Sequence, residues 1–473
     1  EAEAEAEVEA LPEAGDGTAA TPETERMVRI IRSNRLRGAL AAVLAVLVGA
    51  TVLQVRSVRA ERNELRRLQL ASVSRALAAR VEGEVAAGSH ERAALLARQA
   101  ELFGRQSNSG DAGIDRALRA ALGAPHFSRV VTTARGGVWS LALSPDGTRL
   151  AAGGSTVRLI DPRAPQARRV ALSGHLGAVA AVAFSPDGRT VASGGADPTV
   201  RLWDLDSPGV APVILEGHTD QVTSLAFGFA GQRLATAGRD GTVRLWDLGA
   251  TPPMASVLSG HNGAVTAVAF SPDGGRLASA GADGQVRIWD VAQPGAVATL
   301  PAGTPVAAVA YSPEGRYLAT GGDDGLVRLW DALQPEVAPR IFTGHGGPVT
   351  ALAFSADGAV LASGSQDHTV RLWPVTGAPP AILAGHTGPV TGVAFSPAGD
   401  LVVSSSADGS ARRWRLGESS AAGALRSDPR ADPSVLSDLV CQEVGRNLST
   451  AEWEDAVGPG LAWRPTCAGL PRG

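Results

Sequence analysis

The stretch "VRLWD", Val200–Asp204, decides the fold because close copies of it recur along the chain. The copies, exact and degenerate, lie at 157–161, Val243–Asp247, 286–290, Val327–Asp331, Val370–Pro374 and 411–415. Equivalent positions, held by Trp in six copies and by Ile160 in the first, are 41 or 43 residues apart. Seven copies at such a step predict a stacked or closed array of one small unit.

Each unit contains the same order of signals. In the unit around Trp203, an alternating apolar run, "AVAAVAFS", ends in the turn "SPDG" at 185–188. A second run, "TVASGG", precedes "VRLWD", and a short run, "VAPVIL", then leads to a Gly-His dipeptide. Alternation with period two and a turn every ~8–12 residues predict four short antiparallel strands per unit.

The repeats resemble the WD-repeat β-propeller family: Gly-His lies near the start of five units, Trp-Asp near the end of four, and the turn recurs in register. The resemblance covers about 129–414 and implies an all-β fold, a seven-bladed WD-repeat β-propeller. A closed ring buries both faces of each sheet and leaves only short edges. No outer strand follows Trp414, so "RVVTT" at 129–133 is predicted to pair with the last blade and close the ring.

In this family the His joins a buried hydrogen-bond chain with an Asp, a Ser or Thr, and the Trp. The resemblance implies such structural sets at His175/Ser193/Asp197/Trp203, His218/Thr236/Asp240/Trp246, His261/Ser279/Asp283/Trp289, Thr320/Asp324/Trp330, His345/Ser363/Asp367/Trp373 and His386/Ser404/Asp408/Trp414. Indole donates, hydroxyl relays, imidazole does both and carboxylate accepts. The composition imitates a hydrolase triad, but its repetition favours a bracing role. We expect no catalytic, cofactor-binding or metal-binding residues and no cofactor.

Two units depart from this pattern. Ala302 replaces the His of the unit that contains Trp330. The first unit has Ala134, Ala152 and Ile160 at the His, Ser and Trp positions and lacks the Asp. The first blade is therefore predicted to be the softest of the seven.

The resemblance also implies a protein partner, bound on the face formed by residues just after Gly-His and just before the turn Asp. The candidates on this face are Arg239, Gln221, Asn262, Asp323 and Gln366. Arg239 ranks first, because interface hot spots favour Arg and aromatic side chains. The alternative is that all five are ordinary loop residues. An enzyme site in the channel is disfavoured, because the inner runs, such as "VTALAF", are apolar or small.

The chain before the repeats divides into an acidic part and an apolar part. The first 25 residues are acidic and lack aromatic side chains, which predicts a disordered tail. Residues 38–55 contain no charge and would span roughly 27 Å as a helix, which predicts a transmembrane segment. A secretory signal beginning at Met27 and a buried soluble helix are the alternatives. Five Arg flank each side, so the positive-inside rule gives no orientation. Since Glu1 is not Met, we expect a fragment or a processed product, unless Met27 is the true start.

From Arg56 to about Leu102 apolar residues recur at helical spacing, with breaks at Gly88-Ser89 and in "SNSGD", and "AGIDRALRAALGA" predicts a further helix. These helices form either a stalk or a packed adaptor. Beyond the repeats, Cys441 and Cys467 could close a disulfide. The residues 449–452, "STAE", predict a helix start, and Trp453 and Trp463 are predicted apolar anchors.

The predicted domains are an acidic tail (1–34), a transmembrane helix (35–56), a helical stalk or adaptor (57–125), the propeller (127–416), a linker (417–433) and a segment with the Cys pair (434–473). This order is similar to the C-terminal half of large bacterial WD-repeat proteins, whose N-terminal halves are signal-transduction NTPases or caspase-like proteases. The resemblance implies an extracytoplasmic propeller on a single-pass membrane protein. Two alternatives for the function of the chain remain: a free-standing scaffold, or a sensor module of a larger protein.

Composition agrees with a protein-binding role. The net charge of −4 gives no strong attraction to nucleic acid. The phosphate-binding pattern GxxxxGKS is absent from the sequence, and no small-molecule substrate is expected. The chain has no Lys and is rich in Arg, Ala and Gly, which suggests a GC-rich bacterial genome.

Overall fold

The computed structural model describes most of the chain. The described residues are 22–108, 112–122, 128–134, 136–163, 170–207, 209–293, 295–416, 433–444, 446–458, 461–468 and 470. Residues 1–21 of the predicted tail and 417–432 of the predicted linker lie outside these ranges. The chain divides into two units, Glu1–Leu70 and Ala71–Gly473.

The first helix, α1 (Pro22–Ala86), contains the apolar segment. It begins inside the predicted disordered tail (1–34). The prediction was therefore wrong for residues 22–34, which are helical. Proline is tolerated at the first helical position, and acidic residues such as Glu23 are favourable near the positive end of the helix dipole. Within 37–86, α1 is long and apolar enough to cross a membrane, with a mean hydropathy of 2.2 over an 18-residue window. The apolar side chains of the uncharged segment 38–55 are exposed; Leu40 is 71 % exposed and Leu53 66 %.

The repeats fold into seven antiparallel four-stranded sheets, and the short closing strand β1 (Ser128–Thr133) precedes them. Blade 1 contains β2 (Ser140–Leu143), β3 (Leu150–Gly153), β4 (Val157–Ile160) and β5 (Val170–Leu172). Blade 2 contains β6 (Val179–Phe184), β7 (Thr190–Gly195), β8 (Val200–Asp204) and β9 (Val213–Leu215). Blade 3 contains β10 (Val222–Phe227), β11 (Arg233–Gly238), β12 (Val243–Asp247) and β13 (Met254–Leu258). Blades 4 and 5 contain β14 (Val265–Phe270), β15 (Arg276–Gly281), β16 (Gln285–Asp290), β17 (Gly295–Pro301); and β18 (Val306–Tyr311), β19 (Tyr317–Gly322), β20 (Val327–Asp331), β21 (Arg340–Phe342). Blades 6 and 7 contain β22 (Val349–Phe354), β23 (Val360–Ser365), β24 (Val370–Pro374), β25 (Ala381–Leu383); and β26 (Val390–Phe395), β27 (Leu401–Ser406), β28 (Ser410–Arg415).

The first strand of the propeller completes its last blade. β1 pairs antiparallel with β28, with Ser128 opposite Trp414 and Val130 opposite Arg412. This confirms the predicted ring closure and the seven-bladed propeller. The first strands of neighbouring blades contact one another and line the central channel.

The apolar core lies between the blades. Trp203 of blade 2 packs with Val157, Leu159 and Leu172 of blade 1, and the later Trp residues pack on the preceding blade in the same way. In blade 1, Ile160 occupies this place, against Val403 and Ala411 of blade 7. Because each sheet is covered by its neighbours, stability depends on the ring and not on any single sheet.

A set of helices packs beside the propeller within the second unit; we call it the helical cap. It comprises residues 71–86 of α1, α2 (His90–Ser107), α3 (Ala112–Leu122), α4 (Pro433–Val444), α5 (Thr450–Val457) and the described tail up to Leu470. Helix α4 contacts both α2 and α3, and many of the cap's apolar side chains are buried.

The C-terminal part of the cap is held covalently and by polar contacts. Cys441 and Cys467 form a disulfide with a Cα–Cα distance of 5.5 Å. Helix α5 begins with a capping box between Ser449 and Glu452, as the sequence predicts. The ring of Trp453 meets that of Phe103 edge-on at 6.0 Å, so the tail is anchored to α2.

Candidate functional site

A four-residue hydrogen-bond chain crosses blade 3. The indole N–H of Trp246 donates to Thr236 Oγ1 at 3.0 Å, and His218 Nε2 lies 2.8 Å from the same oxygen. His218 Nδ1 lies 2.8 Å from a carboxylate oxygen of Asp240. Equivalent contacts join the corresponding residues of four other blades: His175, Ser193, Asp197 and Trp203; His261, Ser279, Asp283 and Trp289; His345, Ser363, Asp367 and Trp373; His386, Ser404, Asp408 and Trp414.

The direction of these bonds follows from what each group can donate. The indole can only donate, so the Thr236 hydroxyl accepts a hydrogen bond from it. The hydroxyl in turn donates a hydrogen bond to His218 Nε2. The Nδ1–H of the neutral imidazole then donates to Asp240. Thr236 and the four serines at its position are 0 % exposed. A nucleophile must reach its substrate, so these hydroxyls are braces within the blades.

Burial and hydrogen bonding shift the titration of the set in blade 3. Burial lowers the pKa of His218 by more than the Asp240 carboxylate raises it. Burial alone would raise the pKa of Asp240, but the hydrogen bonds from Thr219 N–H, from Thr242 and from His218 outweigh it and lower that pKa to about 2. The pKa values of three further imidazoles are lowered chiefly by burial, those of His261, His345 and His386. The set therefore holds a neutral His beside an ionised Asp.

The chain also ties two loops together at one end of each blade. The N–H of Thr219, the residue after the His, donates at 3.0 Å to the same Asp240 oxygen, Oδ2, that lies beside His218. The N–H of Arg239 donates to the carbonyl of Gln221 at 2.9 Å, and the same pairing recurs in other blades. We call the surface made by these two loops of every blade the loop face. In blades 2, 3, 4, 6 and 7 both bonds hold the backbone of this face, which makes it rigid there.

The predicted partner-binding residues lie on the loop face at separate blades. Gln221 and Arg239 are brought together in blade 3, with Arg239 exposed and Gln221 half-buried. Asn262, Asp323 and Gln366 are exposed on blades 4, 5 and 6. The five residues are thus spread over four neighbouring blades and do not form one cluster.

Blade 5 keeps its Asp without the His. Ala302 stands at the His position of this blade, so no imidazole lies beside Asp324. The guanidinium of Arg328 bonds to Asp324 instead, with N–O distances of 2.6 and 3.2 Å. The Trp330 indole still donates to Thr320 at 3.0 Å. The ion pair between Arg328 (side chain 13 % exposed) and Asp324 (23 % exposed) therefore replaces the His–Asp contact.

Blade 1 has a different feature on the loop face, Trp139, which sequence reasoning missed. The equivalent residues of other blades are Ala or Thr, and four of these Thr hydroxyls bond to a carbonyl of the next blade, for example Thr391 Oγ1 to Val138 O at 2.6 Å. In blade 1, Ser140 Oγ takes that role with Val179 O at 3.4 Å. Trp139 is 40 % exposed, so its indole is available on the loop face.

The local backbone holds this indole in place. A Cβ added at Gly137 would lie 2.9 Å from Trp139 Cε2, so glycine lets the ring lie against the backbone. On the adjacent blade, Leu176, which follows His175, is 83 % exposed. The signal that could have identified Trp139 is an aromatic side chain at a repeat position otherwise held by Ala or Thr.

A buried ion cluster joins the helical cap to blade 7. Glu91 of α2 lies 3.4 Å from Arg446 of the tail and 4.0 Å from Arg129 of β1. Burial raises the pKa of Glu91, against the attraction of Arg446, Arg129 and Arg412. The backbone N–H of Ser128 also donates to His90 Nδ1 at 3.0 Å. The cap is therefore fastened to the strand that closes the ring.

Comparison with known families agrees with this architecture. The family model "WD domain, G-beta repeat" matches seven segments of the chain, 127–161, 167–204, 210–247, 253–290, 296–331, 338–374 and 377–415. These segments make up more than half of the chain, so the chain belongs to the WD40-repeat family. A search of curated proteins found no match. Propellers of this family are in general protein-interaction scaffolds, typically without enzymatic activity.

Proposed function

We propose that this chain is a membrane-anchored, non-enzymatic scaffold that captures a protein partner on the loop face of its propeller. The observation that carries the proposal is Trp139, an aromatic side chain held against Gly137 and exposed on the loop face. It has no bracing role of the kind its Thr counterparts have. Exposed, preorganised aromatic residues are typical anchors of protein interfaces.

The loop face supplies further contacts around this anchor. Leu176 extends the apolar area onto blade 2, and Arg239 adds a cation on blade 3. Gln221, Asn262, Asp323 and Gln366 provide polar contacts farther round the ring. A rigid backbone under these side chains lowers the entropy lost on binding.

The membrane part of the proposal rests on α1 and on the disulfide. The segment around 38–55 has the length and apolarity of a membrane span, and its side chains are exposed. The Cys441–Cys467 disulfide favours an oxidising compartment, which supports an extracytoplasmic propeller.

Site-directed photo-crosslinking in cells tests the interface. A photoreactive residue replaces Trp139 on the loop face or, as the control, Ile341 on the outer strand β21, which is 51 % exposed. We expect a specific adduct from position 139 that Arg239→Ala weakens with folding intact, and none from position 341. Equal adducts from both positions, or an adduct insensitive to Arg239, would count against the loop face. Extraction of the chain by alkaline carbonate would count against the membrane anchor.

A second candidate is a sensor or regulatory module of a larger signal-transduction NTPase or caspase-like protein. It is favoured by the cap, because a single helix, α1, runs from the apolar segment to the cap, and the cap is bonded to the closing strand. A gene sequence that encodes such a domain upstream of Glu1 would support it, and an immediate start codon there would exclude it.

A further inference from the structure

A row of arginines follows the apolar segment of α1. Arg56, Arg59, Arg62, Arg66 and Arg67 are all exposed. At about 100° per residue they fall within about 140° of the helix circumference. We call these five side chains the basic row.

The opposite side of the same helix has a different character. Glu61 and Glu64 project away from the basic row at helical spacing, together with Leu65 and Leu68, which are 67 % and 59 % exposed. Positive charge is therefore concentrated on one side of the helix. Such a segregated row attracts an anionic surface more strongly than the same charges spread around the helix.

The protein itself neutralises little of this charge. Within the described residues, Arg67 lies 4.0 Å from Glu64, both highly exposed, and Arg56, Arg59, Arg62 and Arg66 form no ion pair. The arginines farther along the chain differ. Arg80 bonds to Asp455 at 2.9 Å, and Arg98 to Asp438 at 3.1 Å.

The position of the row identifies its partner. Arg56 directly follows Val55, the last residue of the uncharged segment, and the row extends about 16 Å along the helix axis. The lipid headgroup layer, together with one Debye length of about 8 Å beyond it, covers most of that distance. Most of the basic row therefore lies within the electrostatic reach of the headgroups. The planar guanidinium group matches phosphate geometry in a bidentate way.

We propose that the basic row binds the headgroups of anionic phospholipids in the leaflet next to it. This inference rests on the membrane anchor of the proposed function. Bound lipid phosphates supply the countercharge that the described part of the chain does not provide here, and they make the depth of the helix dependent on lipid composition.

Electron spin resonance of the full-length chain in vesicles tests the proposal. The probes are spin-labelled phosphatidylglycerol and spin-labelled phosphatidylcholine, in phosphatidylcholine vesicles that contain phosphatidylglycerol. We expect the immobilised lipid shell to prefer phosphatidylglycerol by about fivefold, as one headgroup contact per Arg predicts. This preference should decrease as salt is raised.

Matched variants assign the effect. Replacing all five arginines by Gln should reduce the preference to the part contributed by the five arginines before the apolar segment, whereas Glu61→Gln with Glu64→Gln should leave it intact. A wild-type chain without preference overturns the proposal. So does a preference that the five replacements leave unchanged, which is the result expected if the row serves an acidic protein. Carbonate extraction of the same vesicles separates the two proposals, because loss of the chain from the membrane contradicts the anchor itself.

Discussion

Blade 1 and blade 3 have the same strand order but differ in what holds them. Blade 3 contains the complete chain His218, Thr236, Asp240 and Trp246, whereas blade 1 has Ala134, Ala152 and Ile160 at three of those places. Both nevertheless pack against their neighbours with fully buried apolar residues, such as Leu150 in blade 1 and Leu234 in blade 3. The polar chain is thus not required for the blade fold. It holds the loops of a blade that already packs.

The difference also separates two kinds of loop face. Blade 3 presents Arg239 on a backbone fixed by Asp240, while blade 1 presents Trp139 on a glycine-rich segment without that Asp. The blade with the least internal bracing carries the largest exposed aromatic side chain of the loop face among the described residues. This exposure agrees with the role proposed for Trp139 as an anchor for a partner.

The largest expected effect comes from removing the inter-blade anchors. Trp246→Ala should reduce the free energy of unfolding by about 3–5 kcal/mol from lost packing, and further because Thr236 loses a donor. Ile160→Ala should cost only about 2–3 kcal/mol, since no hydrogen bond is lost. Urea denaturation of both variants measures the difference. An equal or larger loss for Ile160→Ala would show that blade 1 is not the less braced blade.

A smaller effect is expected when only the hydroxyl is changed. Thr236→Val keeps the side-chain volume but leaves the Trp246 indole and His218 Nε2 without their shared partner, at a cost of about 1–3 kcal/mol. The reverse change in blade 1, Ala152→Ser, adds a hydroxyl that has no His or Trp partner at the equivalent positions. It should therefore not stabilise the protein. The urea midpoints of the two variants test this, and a stabilising Ala152→Ser would contradict the comparison.

Mild acid should weaken the braced blades. The pKa of His218 is lowered in the folded chain, so below about pH 6.5 the unfolded chain binds more protons and stability falls as pH falls. The lowered pKa of Asp240, about 2, adds a second loss of stability below about pH 4. Urea midpoints between about pH 7 and pH 5 measure the first loss.

The matched control for this pH dependence is His218→Gln. Glu91, whose pKa is raised by burial, acts in the opposite sense and is common to both proteins, so the difference between them isolates the imidazole. We expect a shallower decrease in the variant. An unchanged decrease would mean that His218 titrates alike in the folded and unfolded chains.

The smallest effect needs no mutation. Amides of β3 and β4 in blade 1 should exchange with solvent faster than those of β11 and β12 in blade 3, because blade 1 lacks the polar chain. Hydrogen exchange with peptide resolution measures this directly. Slower exchange in blade 1 would remove its ranking as the softest blade.

Much of the propeller was predictable because its signals are local and repeated. The spacing of the repeats identified the seven Trp-position residues and the four strands per blade, and the resemblance to WD-repeat propellers implied that 129–133 closes the ring. The same resemblance named the members of the polar chains, whose atoms the structure places at hydrogen-bond distance. The start of α1 was less predictable, because an acidic, proline-containing stretch is compatible with both a tail and a helix N-terminus.

Other features depend on contacts between distant parts of the chain. Arg328 pairs with Asp324 only because Ala302, more than 20 residues away, leaves room for it. The contact of Glu91 with Arg129 and Arg446 joins segments that no periodicity connects. The role of Trp139 could not be inferred from its residue type, since Trp is usually core in these repeats.

By itself, the sequence determined the repeat, the ring and the residue types of each brace, because apolar period, turn residues and hydrogen-bonding capacity act within about 40 residues. Only the tertiary structure decided which side chains remain exposed on the loop face and how the helical cap meets the closing strand. Exposure and ion pairing depend on what the rest of the chain covers, and that is known only once all the blades and helices have packed.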